Sequence, residues 1–266
     1  MSTARTRPPA VAGLFYPDDP SELLAMVDGD LAAAHVGAGE SVPKAVIAPH
    51  AGYVYSGAIA GSAYARLVPA RGVITRVLLL GPAHRVPVDG MALPSVDAFD
   101  TPLGPVEIDD DARSRALTQP SVHVDDRAHA PEHSLEVHLP FLMRVLGTGW
   151  KVLPVVVGHT QPSAVADLLD LLWGGPETLI VVSSDLSHYH DDLTAKRRDR
   201  ATADAIIAND TDLVGPYEAC GAYPVRGLMM AAERHGLGIE LLDLRTSGDT
   251  AGDRSRVVGY GAFAIR

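Results

Sequence analysis

The sequence predicts an α/β fold, a sheet with helices on its faces, and three observations predict it. Short apolar, β-branched runs alternate with longer segments of helical period. Several of those runs are apolar throughout, as strands covered on both faces are. No internal repeat, low-complexity tract or Gly/Ser-rich linker divides the chain, so 1–266 reads as a single domain.

Taken in order, residues 1–9 read as a weakly held arm, and Ala34 to Pro43 as a mobile loop. Strands are predicted at Lys44 to Pro49, Arg76 to Pro82, Lys151 to Gly158, Thr178 to Asp185, Ile239 to Leu244 and Val257 to Ile265. Between them, Gly57 to Leu67 places Ile59, Ala63 and Leu67 on one helical stripe, and His133 to Leu146 repeats the pattern through Leu135, Leu139 and Leu142. Gln161 to Leu172, Leu193 to Ala208 and Pro224 to His235 also read as helices, the last opening on a proline suited to a first turn. Met91 to Ile108, broken by proline and glycine, reads as an irregular hairpin beside the main sheet.

Lys and Arg number 22 against 33 Asp and Glu, a formal charge of -11, so nucleic acid and anionic membrane surfaces are repelled rather than recruited. A lone cysteine, Cys220, forms no internal disulfide and points to a reducing compartment. The first residues carry no secretory pattern and no apolar run reaches membrane-spanning length, so a cytoplasmic protein is expected.

The chemistry gathers where predicted strands end. The first ends in Pro49-His50-Ala51-Gly52, the second in Gly81-Pro82-Ala83-His84, and the fourth in Ser183-Ser184-Asp185-Leu186-Ser187-His188. If these strands run parallel, all three ends share the edge where open α/β sheets hold ligands. Two neutral imidazoles with a thiolate or carboxylate make an open transition-metal site; each histidine alone reads as an ordinary loop residue. Cys220 precedes a predicted helix N-terminus, which favours thiolate, and suits a metal ligand, a nucleophile or a buried structural cysteine.

Glu132 and His133 sit at a predicted helix start, as a pair supporting the site or touching substrate, with a plain helix-end carboxylate as the alternative for Glu132. His138 reads as a partly buried histidine. Asp185 either orients His188 for proton transfer or caps a helix. Tyr53, Tyr55 and Ser56 are candidates to line the pocket. No G-x-S-x-G elbow frames Ser183 or Ser184, and no P-loop or dinucleotide fingerprint occurs.

The segments RPPAVAGLFYP, APHAGYVYSG, GPAHR, FDTPLGPVEID, EHSLEVHLPFL, SSDLSHYH and CGAYPV, in that order, resemble the Memo family from Arg7 to the C-terminus. That family includes the eukaryotic mediator of cell motility and the prokaryotic AmmeMemoRadiSam system protein B. The resemblance implies a fold like the class III extradiol dioxygenases, an α/β sandwich around a mixed, largely parallel sheet. It implies His50, His84 and Cys220 as ligands of iron(II) or copper, with His188, Asp185 and His133 as catalytic pocket residues. The dioxygenases carry a carboxylate where Cys220 stands, so the thiolate speaks against ring cleavage and for iron or copper. Tyr189 stands where the animal proteins carry Trp.

The resemblance further implies AMMECR-like and radical SAM proteins as partners. Three functions follow as expectations: a metal-dependent oxidoreductase; a binding or adaptor module taking a peptide or small molecule in the same pocket; and, more weakly, a hydrolase using Cys220 or Ser184 with His188.

Overall fold

The computed structural model describes residues 5–37 and 40–266. Its elements are β1 (Thr6–Arg7), α1 (Pro20–Ala32), β2 (Ala45–Ala48), α2 (Tyr53–Tyr64), β3 (Arg76–Pro82), β4 (Met91–Leu93), β5 (Ala98–Phe99), β6 (Val106–Glu107) and α3 (Asp110–Ala116). There follow β7 (Val122–Val124), α4 (Asp126–His129), α5 (Leu139–Leu146), β8 (Lys151–Val157), α6 (Pro162–Leu172), β9 (Thr178–Ser183), β10 (His188–His190), α7 (Asp192–Ile207), α8 (Ala222–Arg234), β11 (Ile239–Thr246) and β12 (Val257–Ile265).

The main sheet is mixed and mostly parallel at its centre, in the order β10-β12-β2-β9-β3-β8-β4-β7, with β11 also paired to β12. Strands β2, β9, β3 and β8 run parallel, whereas β12 and β4 flank them antiparallel. Parallel strands need helical crossovers, which cover both faces and explain why these segments lack polar alternation. Val77 and Leu79 point into a core under α1, α2 and α5, while Leu78 and Leu80 point into a second core under α3, α6 and α8. The parallel register carries β2, β3 and β9 to one common edge, with His50, His84 and Asp185 each two residues beyond a strand end.

Two expectations are corrected here, and one helix is added. The arm predicted over 1–9 is not free where it is described: Thr6–Arg7 pairs with β5 in a small three-stranded sheet with β6, and Arg7 is buried. Its guanidinium donates to Glu136 and to the carbonyls of His129 and Glu132, which anchors the segment. Residues 1–4 of that arm, and 38–39 of the loop expected at 34–43, lie outside the described residues. The helix expected from His133 starts later, as a 3-10 turn at Glu136–His138 leading into α5, and ahead of it the Glu132 side chain accepts the backbone N–H groups of His133 and Ser134. A helix absent from the sequence reading, α1, opens on Asp19, whose carboxylate caps Ser21 and Glu22, with Pro20 in the first turn. Among the described residues no helix is long and apolar enough to cross a membrane.

Candidate metal centre

His50, His84 and Cys220 come together although they lie far apart in the chain. One nitrogen or sulfur from each falls within 4.8 Å of the others, a separation that one cation can span. His50 forms the floor, 2% exposed, with Nε2 3.3 Å from Cys220 Sγ. His84 stands on the solvent side, its side chain 27% exposed. The donor set of two imidazoles and one thiol suits borderline and soft transition metals, and leaves further coordination positions unfilled by these three residues.

Each donor is held by named contacts. The His50 backbone N–H donates to Asp185 Oδ1 at 2.8 Å, and its Nδ1 lies 2.5 Å from Ser183 Oγ. Ser183 Oγ in turn donates to the Ser134 carbonyl at 2.6 Å. His84 is bound twice by Glu132, through its backbone N–H at 2.7 Å and its Nδ1 at 2.9 Å. Cys220 is tied to the end of β9: its N–H donates to the Asp185 carbonyl, and Sγ accepts the Asp185 N–H, both at 3.2 Å. Gly221 is required there, because a Cβ would sit 2.5 Å from the Ser183 carbonyl oxygen.

A second group, His84 with Glu132 and His133, overlaps the first. Its carboxylate is already committed, since Glu132 accepts from both His84 groups and from the N–H groups of His133 and Ser134. The first trio is therefore the better cation site.

Electrostatics follow from burial and neighbours. Burial holds His50 well below its ordinary pKa, with His84 and His133 adding to the effect, so the ring is neutral and free to ligate. Burial also brings His133 down to about 4. For Glu132 burial acts upward, but the hydrogen bonds from His84 and Ser134 prevail and the carboxyl sits at about 2. Burial, aided by Asp185, pushes the Cys220 thiol up. The helix-terminus effect expected for Cys220 is outweighed, and a cation is needed to displace its proton.

A cleft of about 450 Å³ borders the trio, walled by Phe15, Tyr55, His133, Asp185, His188 and Arg256 among others. The His133 ring stacks on His84 with centroids 4.8 Å apart, and Phe15 packs at 4.8 Å on His133. His188 faces the cleft but does not pair with Asp185 as expected: its Nδ1 lies 2.8 Å from the Leu186 carbonyl. Asp185 is neither a helix cap nor an orienting group for His188, since α7 is capped by Asp191 and Asp185 turns to His50. Of the three residues proposed near Gly52, only Tyr55 reaches the cleft; Tyr53 is buried against the Val137 carbonyl and Ser56 against that of Ala51. His138 is fully buried on Tyr64. Ser184 is committed to the Asp185 carbonyl and Gly221 N–H, away from His188. Sequence reasoning missed Ser134, Ser183 as a histidine partner, Phe15 and Arg256; the nearest signal was the position of Ser183 at a strand end.

Comparison with known proteins fits this architecture. The Memo-like protein family matches residues 7–264. MEMO1 family proteins of Aquifex aeolicus and Archaeoglobus fulgidus are each 37% identical, covering 96% and 98% of this chain and 97% and 99% of theirs. That of Methanopyrus kandleri is 36% identical, over 98% of this chain and 99% of its own. A solved structure of an uncharacterized protein from Escherichia coli K12 superposes with a TM-score of 0.53 at 12% identity, over 81% of this chain and 98% of that one, a likeness of fold alone. On the match across nearly its whole length, the chain belongs to the Memo-like family.

Proposed function

We propose that the protein binds iron(II) or copper through His50, His84 and Cys220 and acts as a metal-dependent oxidoreductase. The convergence of those three donor atoms within 4.8 Å carries the reading. Bound there, the metal supplies a reversible one-electron couple and Lewis acidity. The thiolate favours iron or copper over the harder cations and speaks against extradiol ring cleavage.

The chain's own residues do the rest. His188, its Nδ1 at the Leu186 carbonyl, keeps Nε2 to accept or deliver a proton in the cleft. His133, kept neutral by burial, lines the cleft beside His84 and meets substrate. Asp185 fixes the His50 backbone and places a carboxylate in the cleft wall. Cytoplasmic action beside AMMECR-like and radical SAM partners belongs to the same proposal, by family resemblance.

A second reading, a module that captures a peptide or small molecule, is favoured by the rim of the cleft, where Leu14, Tyr55 and Tyr189 are exposed at 80%, 40% and 64%. Titration of metal-free protein with ferrous iron or cuprous copper under argon, followed by oxygen-uptake assays, separates the two. Tight binding lost in His84→Ala together with ligand-dependent oxygen uptake supports the oxidoreductase. Binding without turnover under any electron donor supports the module.

A further inference from the structure

We infer that the short segment from Glu132 to Ser134 decides which ring nitrogen both histidines turn to the centre, acting on His84 directly and on His50 through a serine relay. The inference rests on reading these two residues as ligands, but its logic needs only the hydrogen bonds.

A neutral imidazole carries one N–H, and the partner of one nitrogen determines where it sits. Glu132 receives the His84 N–H on Oε2 and the His133 and Ser134 N–H groups on Oε1, at 2.7, 3.0 and 3.0 Å. Both oxygens therefore act as acceptors, and a proton on either would face an N–H donor. The His84 Nδ1 lying 2.9 Å from Oε1 must be the donor, which leaves Nε2 with its lone pair for the centre.

The same reasoning runs through Ser183 to the other ring. A hydroxyl has one proton, and the Ser134 carbonyl 2.6 Å away can only accept it. Ser183 Oγ is thus left to accept from His50 Nδ1 at 2.5 Å, and the bare Nε2 faces Cys220 Sγ. One backbone carbonyl sets the tautomer of a ring that follows β2.

The segment is itself pinned. Ser134 Oγ donates to the Pro82 carbonyl at 2.8 Å, and the approach to β3 is so close that a Cβ on Gly81 would meet Leu135 at 2.8 Å and Ser134 at 2.9 Å. Arg7 Nη2 holds the Glu132 carbonyl from the other side at 2.6 Å. Glu132, Ser134 and Ser183 are on this account positioning residues, and the glycine of the GPAH motif is the clearance they need.

The test is nitrogen-15 NMR of histidine-labelled, metal-free protein, which reads tautomers whether or not a metal ever binds. Both His50 and His84 are expected as the Nδ1–H form. Ser183→Ala should release His50 and leave His84 unchanged, whereas Glu132→Ala should release His84. Glu132→Gln should retain the His84 tautomer at some cost in stability, because its carbonyl oxygen can occupy the position that takes three N–H groups while its NH2 then meets the His84 backbone N–H. Cobalt(II) affinity, followed by its visible absorption, should fall roughly 10- to 100-fold in the two alanine variants. An Nε2–H tautomer in either wild-type ring overturns the inference, as does a pattern in which the alanine variants leave both rings unchanged or shift both together. Wild-type protein with the expected tautomers but no binding of cobalt(II), ferrous iron or cuprous copper would instead refute the proposed metal centre and leave the tautomer assignment standing.

Discussion

His50 Nε2 and Cys220 Sγ lie 3.3 Å apart across a sequence separation of 170 residues, and neither is placed by its own element alone. His50 follows β2 and is gripped by Ser183 and Asp185 at the end of β9. Cys220 precedes α8 and is gripped by the same Asp185 through two backbone contacts. The end of β9 is therefore the common support of the pair.

That support makes Gly221 a sensitive position. Its Cβ would fall 2.5 Å from a backbone oxygen and 2.7 Å from Ser184 Cβ, so the Cys220 loop must move to admit it. Gly221→Ala should cost about 1–3 kcal/mol in urea unfolding and weaken cobalt(II) binding more than its loss of stability explains. Wild-type affinity and stability in this variant would show that the contact is slack.

The first residues of the described chain are structural. Glu136, fully buried, accepts from Arg7 Nη1 at 2.6 Å, Tyr16 OH at 2.6 Å, and the Ala10 and Val11 N–H groups at 2.7 and 3.0 Å. Glu136→Ala leaves a buried guanidinium without its counter-charge and should destabilise by about 3–5 kcal/mol in chemical denaturation. Deletion of residues 1–9 should act in the same direction. A deletion with unchanged midpoint would return the segment to the status of a loose arm.

Stability should fall on mild acidification. Burial brings His129 to about 4 and His138 to about 3, whereas the unfolded chain titrates near 6.5. Below that value the unfolded state binds protons that the native state refuses, so the stability present above about pH 6.5 is lost as the pH drops towards 4. Glu132, at about 2 when folded, adds loss in the same direction below its unfolded value. The slope should approach about 1.4 kcal/mol per pH unit for each buried histidine. Urea midpoints from pH 7 to 4 check this, with His129→Gln, which keeps a donor for the Ala92 carbonyl, giving a shallower fall. A flat profile in the wild type would contradict it.

Much of the frame was legible in the sequence because central parallel strands write their burial as unbroken apolar text. Arg76–Pro82 falls at the predicted bounds for this reason, and Lys151–Val157 ends one residue short of them. Two-residue strands such as β1 carry no period to read, and Arg7 owes its burial to Glu136 far along the chain. The ends of β2, β3 and β9 were visible as sites, so His50, His84 and Asp185 could be placed on one edge. Side-chain direction was not visible: the spacing of Asp185 and His188 suggested a pair, yet the carboxylate turns to β2 and the imidazole to Leu186. Glu132 could be read as a support of the site or as a helix-end carboxylate, and its grip on His84, 48 residues away, is settled only in three dimensions.

The most direct test of the central claim is metal content per chain, by mass spectrometry on untagged protein purified without oxygen, beside folded His50→Ala and Cys220→Ser variants. The account expects roughly one iron or copper in the wild type and its loss in both variants. A wild type that stays metal-free after anaerobic loading with ferrous iron or cuprous copper, or variants that retain the metal in full, would contradict it.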